Sequence, residues 1–186
     1  QYIVPGRQND PGQQQKPYVI LISIDGFRYD FAEIHGAKNI LKLSGSGIAS
    51  ESMKPGFPSL TFPNHYSIIT GLYPAHHGIV GNRFYDLEKK SFYSISNKKE
   101  VTDGSWYGGE PLWVLAEKQK MLAASLYWVG SEADIEHVRP TYFYSYSEAF
   151  TPDRRLQILM DWLSLPPEMR PHLITFYFPE VDHAAH

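Results

Sequence analysis

The sequence contains no cysteine, which excludes disulfide bonds and thiolate metal sites. It has no basic excess, since 17 Lys and Arg stand against 20 Asp and Glu for a net charge of −3. This balance argues against a protein that binds the nucleic-acid backbone. The longest apolar run, residues 18–24, is far too short to span a bilayer. Hydrophobic residues make up 42% of the 186 residues, enough to build a real core in one domain or part of a larger one.

Apolar runs alternate with helical patterns along the chain, which predicts an α/β fold. The run at residues 18–24 is continuous and β-branched, which is typical of a strand buried on both faces in a parallel sheet. Residues 1–16, rich in Gln, Pro and Gly, are predicted to be a flexible lead-in without core residues, followed by the domain over 17–186. Further strands are predicted over 48–53, 121–128 and 172–178, helices over 38–43, 110–119 and 151–163, and a hairpin around 86–90.

Two of the predicted helices show their apolar positions clearly. In the helix over 110–119, Leu112, Leu115 and Ala116 share one face, which indicates an amphipathic helix. The helix over 151–163 has Thr151 as its N-cap and Pro152 in its first turn. Its apolar residues recur at helical spacing, at Leu156, Leu159, Met160 and Leu163.

The stretch over residues 58–78, PSLTFPNHYSIITGLYPAHHG, is the centre of the sequence. Thr61 stands where a helix should begin, Pro63 suits its first turn, and Gly71 suits its C-cap. A helix amino end carries unpaired N–H groups and a partial positive charge, so it favours anions. The Thr61 hydroxyl is therefore either a helix cap, its commoner role, or a nucleophile.

Carboxylates follow two of the predicted strands, at Asp25 and again at Asp182. Asp182 and His186 are four residues apart, so one helical turn would place both on one face, where they could hold a metal. A solvated acidic loop with incidental histidines is the alternative. Carboxylates together with a hydroxyl at a helix start are what a two-metal phosphoryl-transfer site needs.

The segments ISIDGFR, FPSLTFPNHYSIITGLYPAHHGIVGN, GGEPLW and FPEVDHAAH together resemble the nucleotide pyrophosphatase/phosphodiesterases of the alkaline phosphatase superfamily. The resemblance covers residues 16–186. It implies an alkaline-phosphatase-like α/β fold, a mostly parallel sheet with helices on both faces, incomplete in this stretch. The implied activity is zinc-dependent hydrolysis of phosphodiester or pyrophosphate bonds in nucleotides or similar small molecules, through a phosphothreonine intermediate. A choline-phosphate or lipid phosphodiesterase, a phosphonate hydrolase and a non-catalytic binding module are the alternatives.

The resemblance also implies roles for individual residues. Thr61 would be the nucleophile, and Asn82 would bind phosphate together with the Thr61 backbone N–H. Two zinc ions are implied, one contacted by Asp25 and Thr61, the other by Asp182 and His186. Aromatic side chains would enclose the base of a nucleotide: Phe62 and Tyr177, with Tyr146 as a third wall. The resemblance gives no ligand role to the remaining histidines of these segments, which we expect to be solvated or capping: His65, His76, His77 and His183.

The sequence departs from the family in two ways. Leu60 stands where many members carry Lys, and three further zinc ligands of the family, an Asp-His pair and a His, cannot be assigned here. The resemblance therefore predicts the amino-terminal part of a longer catalytic domain, with zinc bound weakly by this part alone. It also implies a location outside the cytoplasm, periplasmic, extracellular or on the outer surface, although no signal peptide is visible. No membrane span and no binding to nucleic-acid duplexes are expected.

Overall fold

The computed structural model describes residues 1–186 and divides into two units. The first unit consists of Gln1–Ile22 together with Gly56–Tyr177, and the second of Ser23–Pro55 together with Phe178–His186. No helix is long and apolar enough to cross a membrane.

A five-stranded sheet of order β1-β6-β5-β7-β2 forms the framework. Strand β5 pairs in parallel with both β6 and β7, while β1 joins β6 in the antiparallel direction. The predicted mostly parallel sheet is therefore confirmed. The strands span β1 Tyr2–Ile3, β2 Val19–Ile24, β5 Ala123–Leu126, β6 Tyr142–Tyr144 and β7 Leu173–Phe178.

Strand β2 forms where the sequence predicts it, but the prediction that it is buried on both faces is wrong. It is the last strand at one edge of the sheet, and the Val19 N–H donates to the carbonyl of His172. Val19 and Ile22 are each 54% exposed. An edge strand has one neighbour instead of two, so an apolar sequence alone does not bury it.

Residues 1–16, predicted to be a flexible lead-in, contain a short strand and make side-chain contacts, while their flexibility stays a prediction. Tyr2 and Ile3 pair with β6, and Arg7 forms an ion pair with Glu117 at 3.1 Å. Asn9 is buried, and its Nδ2 donates to the carbonyls of Pro167 and Arg170. Polar side chains dock this segment through hydrogen bonds to backbone, which composition does not reveal. The boundary at residue 17 stays a prediction.

The predicted hairpin and helices are confirmed, whereas the strand over 48–53 is wrong, because those residues form neither helix nor strand. In the second unit α2 runs to residue 46, beyond its predicted end. The first unit contains α3 Thr61–Thr70, α4 Pro74–His77, the hairpin strands β3 Arg83–Asp86 and β4 Ser91–Ser94, α5 Lys98–Val101, α6 Leu112–Lys118 and α7 Pro152–Leu163. The second contains α1 Phe31–Ile34, α2 Lys38–Ser46 and α8 Glu180–Ala185.

Helices α6 and α7 bury faces other than the apolar stripes seen in the sequence. In α6 the buried residues include Trp113 and Val114, while Leu112 and Leu115 are about 40% exposed (41% and 42%). In α7 the buried residues are Arg155, Ile158 and Trp162. Leu156 and Met160, in the predicted stripe, are 49% and 56% exposed. Both helices carry apolar residues on two sides, and large aromatic rings take the inner side.

The core of the first unit is rich in aromatic side chains. Trp113, Trp128 and Tyr93 are almost fully inaccessible to solvent. Helix α3 contributes Tyr66 and Ile69 to the same cluster. One face of α3 is therefore anchored in the core, which fixes the place of the residues at its amino end.

Candidate functional site

Thr61 is the first residue of α3, as the sequence predicts for the start of this helix. The N-cap position belongs to Leu60, whose backbone is extended (φ −105°, ψ 157°) and whose side chain cannot accept a hydrogen bond. Thr61 therefore lies inside the first turn, and its role as the N-cap is wrong. Its half-buried side chain belongs to the turn where a helix concentrates its unpaired N–H groups.

Asn64 shapes the loop that leads into this turn, a role that the sequence did not indicate. Its Nδ2 donates to the carbonyls of Pro58 and Leu60 at 2.8 and 3.0 Å. Its Oδ1 accepts from the N–H of Gly56 at 2.7 Å. The signal for this role in the sequence is that Asn64 is a poor helix former in the first turn of a helix, where such side chains prefer to bond nearby backbone.

The side chain of Asn82 lies at the amino end of α3, where it contacts the residue after Thr61. Its Oδ1 accepts a hydrogen bond from the N–H of Phe62 at 3.1 Å. Its carbonyl accepts from the N–H of Ile95, just after β4, at 3.0 Å, so the hairpin holds Asn82 in place. With the oxygen engaged, the amide NH2 is the group left to meet an anion. This placement suits the predicted phosphate-binding role, which stays a prediction.

The three aromatic residues predicted to enclose a base lie in the first unit. Phe62 is half-buried with its ring 6.3 Å from that of Tyr93. Tyr177 is 8% exposed, and Tyr146 is 43% exposed, with its ring 5.2 Å from that of Tyr127. Their part in binding a base stays a prediction.

In the second unit, the backbone of Asp25 and Gly26 lies close to that of Phe178 and Asp182. The Asp25 N–H donates to the carbonyl of Phe178 at 2.9 Å. Gly26 has φ +68°, and a Cβ added there would lie 2.8 Å from the Cα of Asp182. A side chain at this position would collide with the Asp182 backbone, so glycine is required here for a steric reason.

Asp182 and His186 are joined by helix α8, as their spacing predicts. The Oδ1 of Asp182 lies 3.5 Å from the Nε2 of His186. The helical pairing is confirmed. The side chains of Asp182 and His186 are 30% and 81% exposed, and their role as metal ligands stays a prediction. The two side chains offer one oxygen and one nitrogen on the same helix face.

This pair fits part of a zinc site and not the whole of one. A protein zinc site takes three or four ligands, and residues 1–186 contain no group of three or more His, Asp or Glu that could hold a metal. Asp25, Asp182 and His186 belong to the second unit and Thr61 to the first. The zinc roles of these four residues stay predictions.

Two histidines expected to be solvated or capping are buried, which corrects that prediction. His77 is 0% exposed; its Nδ1 accepts from the Ile79 N–H, so Nε2 carries the proton and donates to Ser67 Oγ at 3.0 Å. Burial lowers the pKa of His77. His65 is 5% exposed. His76 and His183 are exposed. Polar partners inside the core make buried imidazoles possible, and sequence does not show those partners.

Comparison with known proteins identifies the class. The family model described as type I phosphodiesterase / nucleotide pyrophosphatase matches residues 19–186. The chain therefore belongs to the type I phosphodiesterase/nucleotide pyrophosphatase family, as the resemblance predicts.

Individual relatives agree with this assignment. The chain is 41% identical over 172 residues to mouse (Mus musculus) ectonucleotide pyrophosphatase/phosphodiesterase family member 3, covering 91% of this chain and 20% of that protein. It is 38% identical over 177 residues to venom phosphodiesterase 2 of Crotalus adamanteus, covering 94% and 22%. The chain thus spans about a fifth of the length of these curated relatives.

Solved structures show the fold. Murine ectonucleotide pyrophosphatase/phosphodiesterase 5 matches with a TM-score of 0.82 and 26% identity, over 91% of this chain and 45% of that one. An inactive threonine-to-alanine variant of the same murine protein, in complex with AMP, matches with a TM-score of 0.83 and 25% identity, over 92% and 45%. The predicted alkaline-phosphatase-like fold is confirmed.

Proposed function

We propose that this protein hydrolyses phosphodiester or pyrophosphate bonds in nucleotides or nucleotide-like molecules, with Thr61 as the nucleophile. One observation carries the proposal: the side-chain oxygen of Asn82 binds the Phe62 N–H, one residue from Thr61. A hydroxyl, an amide and a helix amino end thereby come together. The family match and the relatives named as pyrophosphatases and phosphodiesterases support the same reaction.

The proposed chemistry has two displacements at phosphorus. The Oγ of Thr61 attacks the phosphorus and releases the leaving alcohol or phosphate, so that a nucleoside monophosphate stays attached to Thr61. Water then attacks the same phosphorus and frees Thr61. The amide NH2 of Asn82 donates to a non-bridging oxygen, whose negative charge grows in the transition state. The AMP complex of an inactive threonine-to-alanine murine relative is consistent with a threonine nucleophile and a nucleotide ligand.

We further propose that zinc takes part. Asp182 and His186 would contribute to holding one ion, and Asp25 to holding a second together with Thr61. Bound zinc would lower the pKa of the attacking hydroxyl and offset negative charge on the phosphate. The hard oxygen and imidazole donors suit this ion.

Other substrates within the same chemistry are the second candidate. Leu60, 43% exposed, stands next to Thr61 and offers no charge to a terminal phosphate. Without a positive charge at this position, a choline-phosphate diester, a lipid diester or a phosphonate could bind as well as a nucleotide does. The names of the relatives, ectoenzymes and a venom protein, support a location outside the cytoplasm.

The test compares Thr61→Ala with Thr70→Ala, which removes a hydroxyl from the other end of the same helix. In the full-length protein with zinc present, Thr61→Ala should lower the hydrolysis of a nitrophenyl nucleotide by at least ~10³-fold, because the nucleophile is lost. Thr70→Ala should keep the wild-type rate. Unchanged activity in Thr61→Ala contradicts the assignment. A preference for a nitrophenyl choline phosphate over the nucleotide ester contradicts the nucleotide substrate.

A further inference from the structure

His65 lies one helical turn after Thr61 and bonds directly to it. The Nδ1 of His65 is 2.8 Å from the carbonyl oxygen of Thr61. A carbonyl oxygen only accepts, so Nδ1 carries the proton and donates. This hydrogen bond joins an imidazole to the backbone of the residue that carries the proposed nucleophile.

The imidazole is itself held rigidly by the core. It makes edge-on contacts with two rings, those of Trp128 at 5.5 Å and Tyr177 at 5.0 Å between centroids. The indole Nε1 of Trp128 donates to the His65 carbonyl at 3.1 Å, in a buried position. Both the backbone and the side chain of His65 are therefore fixed by neighbours that are themselves buried.

The first turn of a helix needs such support. Its early N–H groups have no partner within the helix, and helix ends fray. Asn82 and Asn64 hold this turn through Phe62 and the preceding loop, whereas His65 holds Thr61 itself. A shift of about 1 Å in a reacting group can cost on the order of 10²-fold in rate, so support at this carbonyl matters for catalysis.

We propose that His65 is a positioning residue, which ties the first turn of α3 to Trp128 and so fixes the Thr61 hydroxyl. The catalytic consequence rests on the proposed function, in which Thr61 is the nucleophile. The structural consequence does not, because it concerns only the backbone of the first turn.

The chain offers a matched set of variants. His65→Leu removes the donor, while His65→Asn keeps an N–H at the same number of bonds from Cα as Nδ1 and has the same number and branching of side-chain heavy atoms as Leu. His172→Leu is the control, because His172 is another buried imidazole with a ring contact, to Tyr18, and its ring makes no hydrogen bond to α3.

Hydrogen exchange followed by NMR tests the structural part. In His65→Leu the amides of Phe62 and Asn64 should exchange about tenfold faster, since one net hydrogen bond is lost. His65→Asn should restore most of the protection, and His172→Leu should leave these two amides unchanged relative to global opening. Wild-type exchange in His65→Leu, or equal exchange in His65→Leu and His65→Asn, overturns the proposal.

Two further measurements complete the test. The ¹⁵N spectrum of the wild-type side chain should show Nδ1 protonated, and an unprotonated Nδ1 overturns the proposal even where His65→Leu does not fold. With zinc present, His65→Leu should lower kcat by about 10- to 100-fold with KM little changed, and His65→Asn should recover part of it. Full activity in Thr61→Ala would contradict the proposed function alone, because the exchange result does not depend on turnover.

Discussion

The side-chain oxygen of Asn82 and the backbone N–H of Phe62 are 3.1 Å apart, and this hydrogen bond links the hairpin of β3 and β4 to the amino end of α3. Through this hydrogen bond, the Asn82 side chain caps one N–H group of α3. The NH2 group of the same side chain points away from that bond. The same contact thus supports the helix and offers a donor to a phosphate oxygen. Leu60 occupies the N-cap position without a polar atom, so the helix takes this acceptor from elsewhere in the chain.

Replacing Asn82 should separate catalysis from stability. Asn82→Ala removes one donor to the developing charge, so kcat for a nucleotide ester should fall by roughly 10²- to 10³-fold. The control is Asn97→Ala, because Asn97 also accepts one backbone N–H, that of Lys99, at 3.1 Å and caps α5. Steady-state kinetics and urea unfolding of both variants check this. Equal activity of the two variants contradicts a role for Asn82 in binding phosphate.

Gly26 should control the geometry of the Asp182/His186 pair. A methyl group at Gly26 would lie 2.8 Å from the Cα of Asp182, so Gly26→Ala forces the turn after β2 and the start of α8 apart. Gly36→Ala is the control, since Gly36 also has a positive φ, +61°, with nothing within 4 Å. Both variants carry the backbone strain of about 1 kcal/mol, and only Gly26→Ala adds the clash.

We expect Gly26→Ala to weaken zinc binding by about tenfold or more, the loss that small changes in ligand support produce, while Gly36→Ala keeps wild-type affinity. Titration calorimetry with zinc measures this directly. Equal zinc affinities in the two variants would show that the close approach of Gly26 to Asp182 does not shape the metal site.

Arg7 should stabilise the fold in a pH-dependent way through Glu117. The Glu117 carboxylate is nearly inaccessible (3% exposed), pairs with Arg7 at 3.1 Å, and accepts the N–H groups of Ala123 and Thr141. Burial raises the pKa of Glu117, while these hydrogen bonds and Arg7 oppose the rise. A raised carboxyl pKa means that its stabilisation is present at low pH and is lost as pH rises through the folded-state pKa.

Arg7→Met removes the positive charge that offsets the loss of stability on ionisation of Glu117. It should cost about 2 kcal/mol more at pH 7 than near pH 4, because protonation of Glu117 at low pH removes the charge that Arg7 pairs with. Lys120→Met, which breaks the exposed pair with Asp10, should change stability little at either pH. Urea unfolding at the two pH values is the measurement. A cost for Arg7→Met that is the same at both contradicts the coupling.

Sequence reasoning predicted the helices that carry the candidate site residues, because the patterns that indicate them are local. Helix geometry alone is enough to interpret two patterns. One is the spacing of four residues between Asp182 and His186, and the other is a hydroxyl followed two positions later by Pro63. Both α8 and α3 form where these patterns predict. The family resemblance then supplied Asn82, which residue pattern alone would leave as a turn residue.

The sequence was less informative about which side of a helix or strand is buried. Helix α7 carries one apolar stripe with Leu156 and Met160 and another with Ile158 and Trp162, and only the second is buried. Periodicity shows that a helix forms, but it does not say which of two apolar sides meets the sheet. The apolar strand β2 raises the same difficulty, because its place at the sheet edge is a matter of topology.

Long-range hydrogen bonds were invisible in the sequence for a different reason. Asn9 bonds to backbone more than 100 residues away, and the carbonyl of the buried His65 accepts from the indole of Trp128, 63 residues further along the chain. Neither residue type favours burial, so each was expected to face solvent. The specific partners that make burial favourable appear only once the chain is folded.

The most direct test of the central claim is mass spectrometry of the protein quenched in acid during turnover of a nucleotide ester with zinc present. The account predicts a nucleoside monophosphate attached to the peptide that contains Thr61, and its absence in Thr61→Ala. An adduct on another residue, or the same adduct in Thr61→Ala, would contradict Thr61 as the nucleophile.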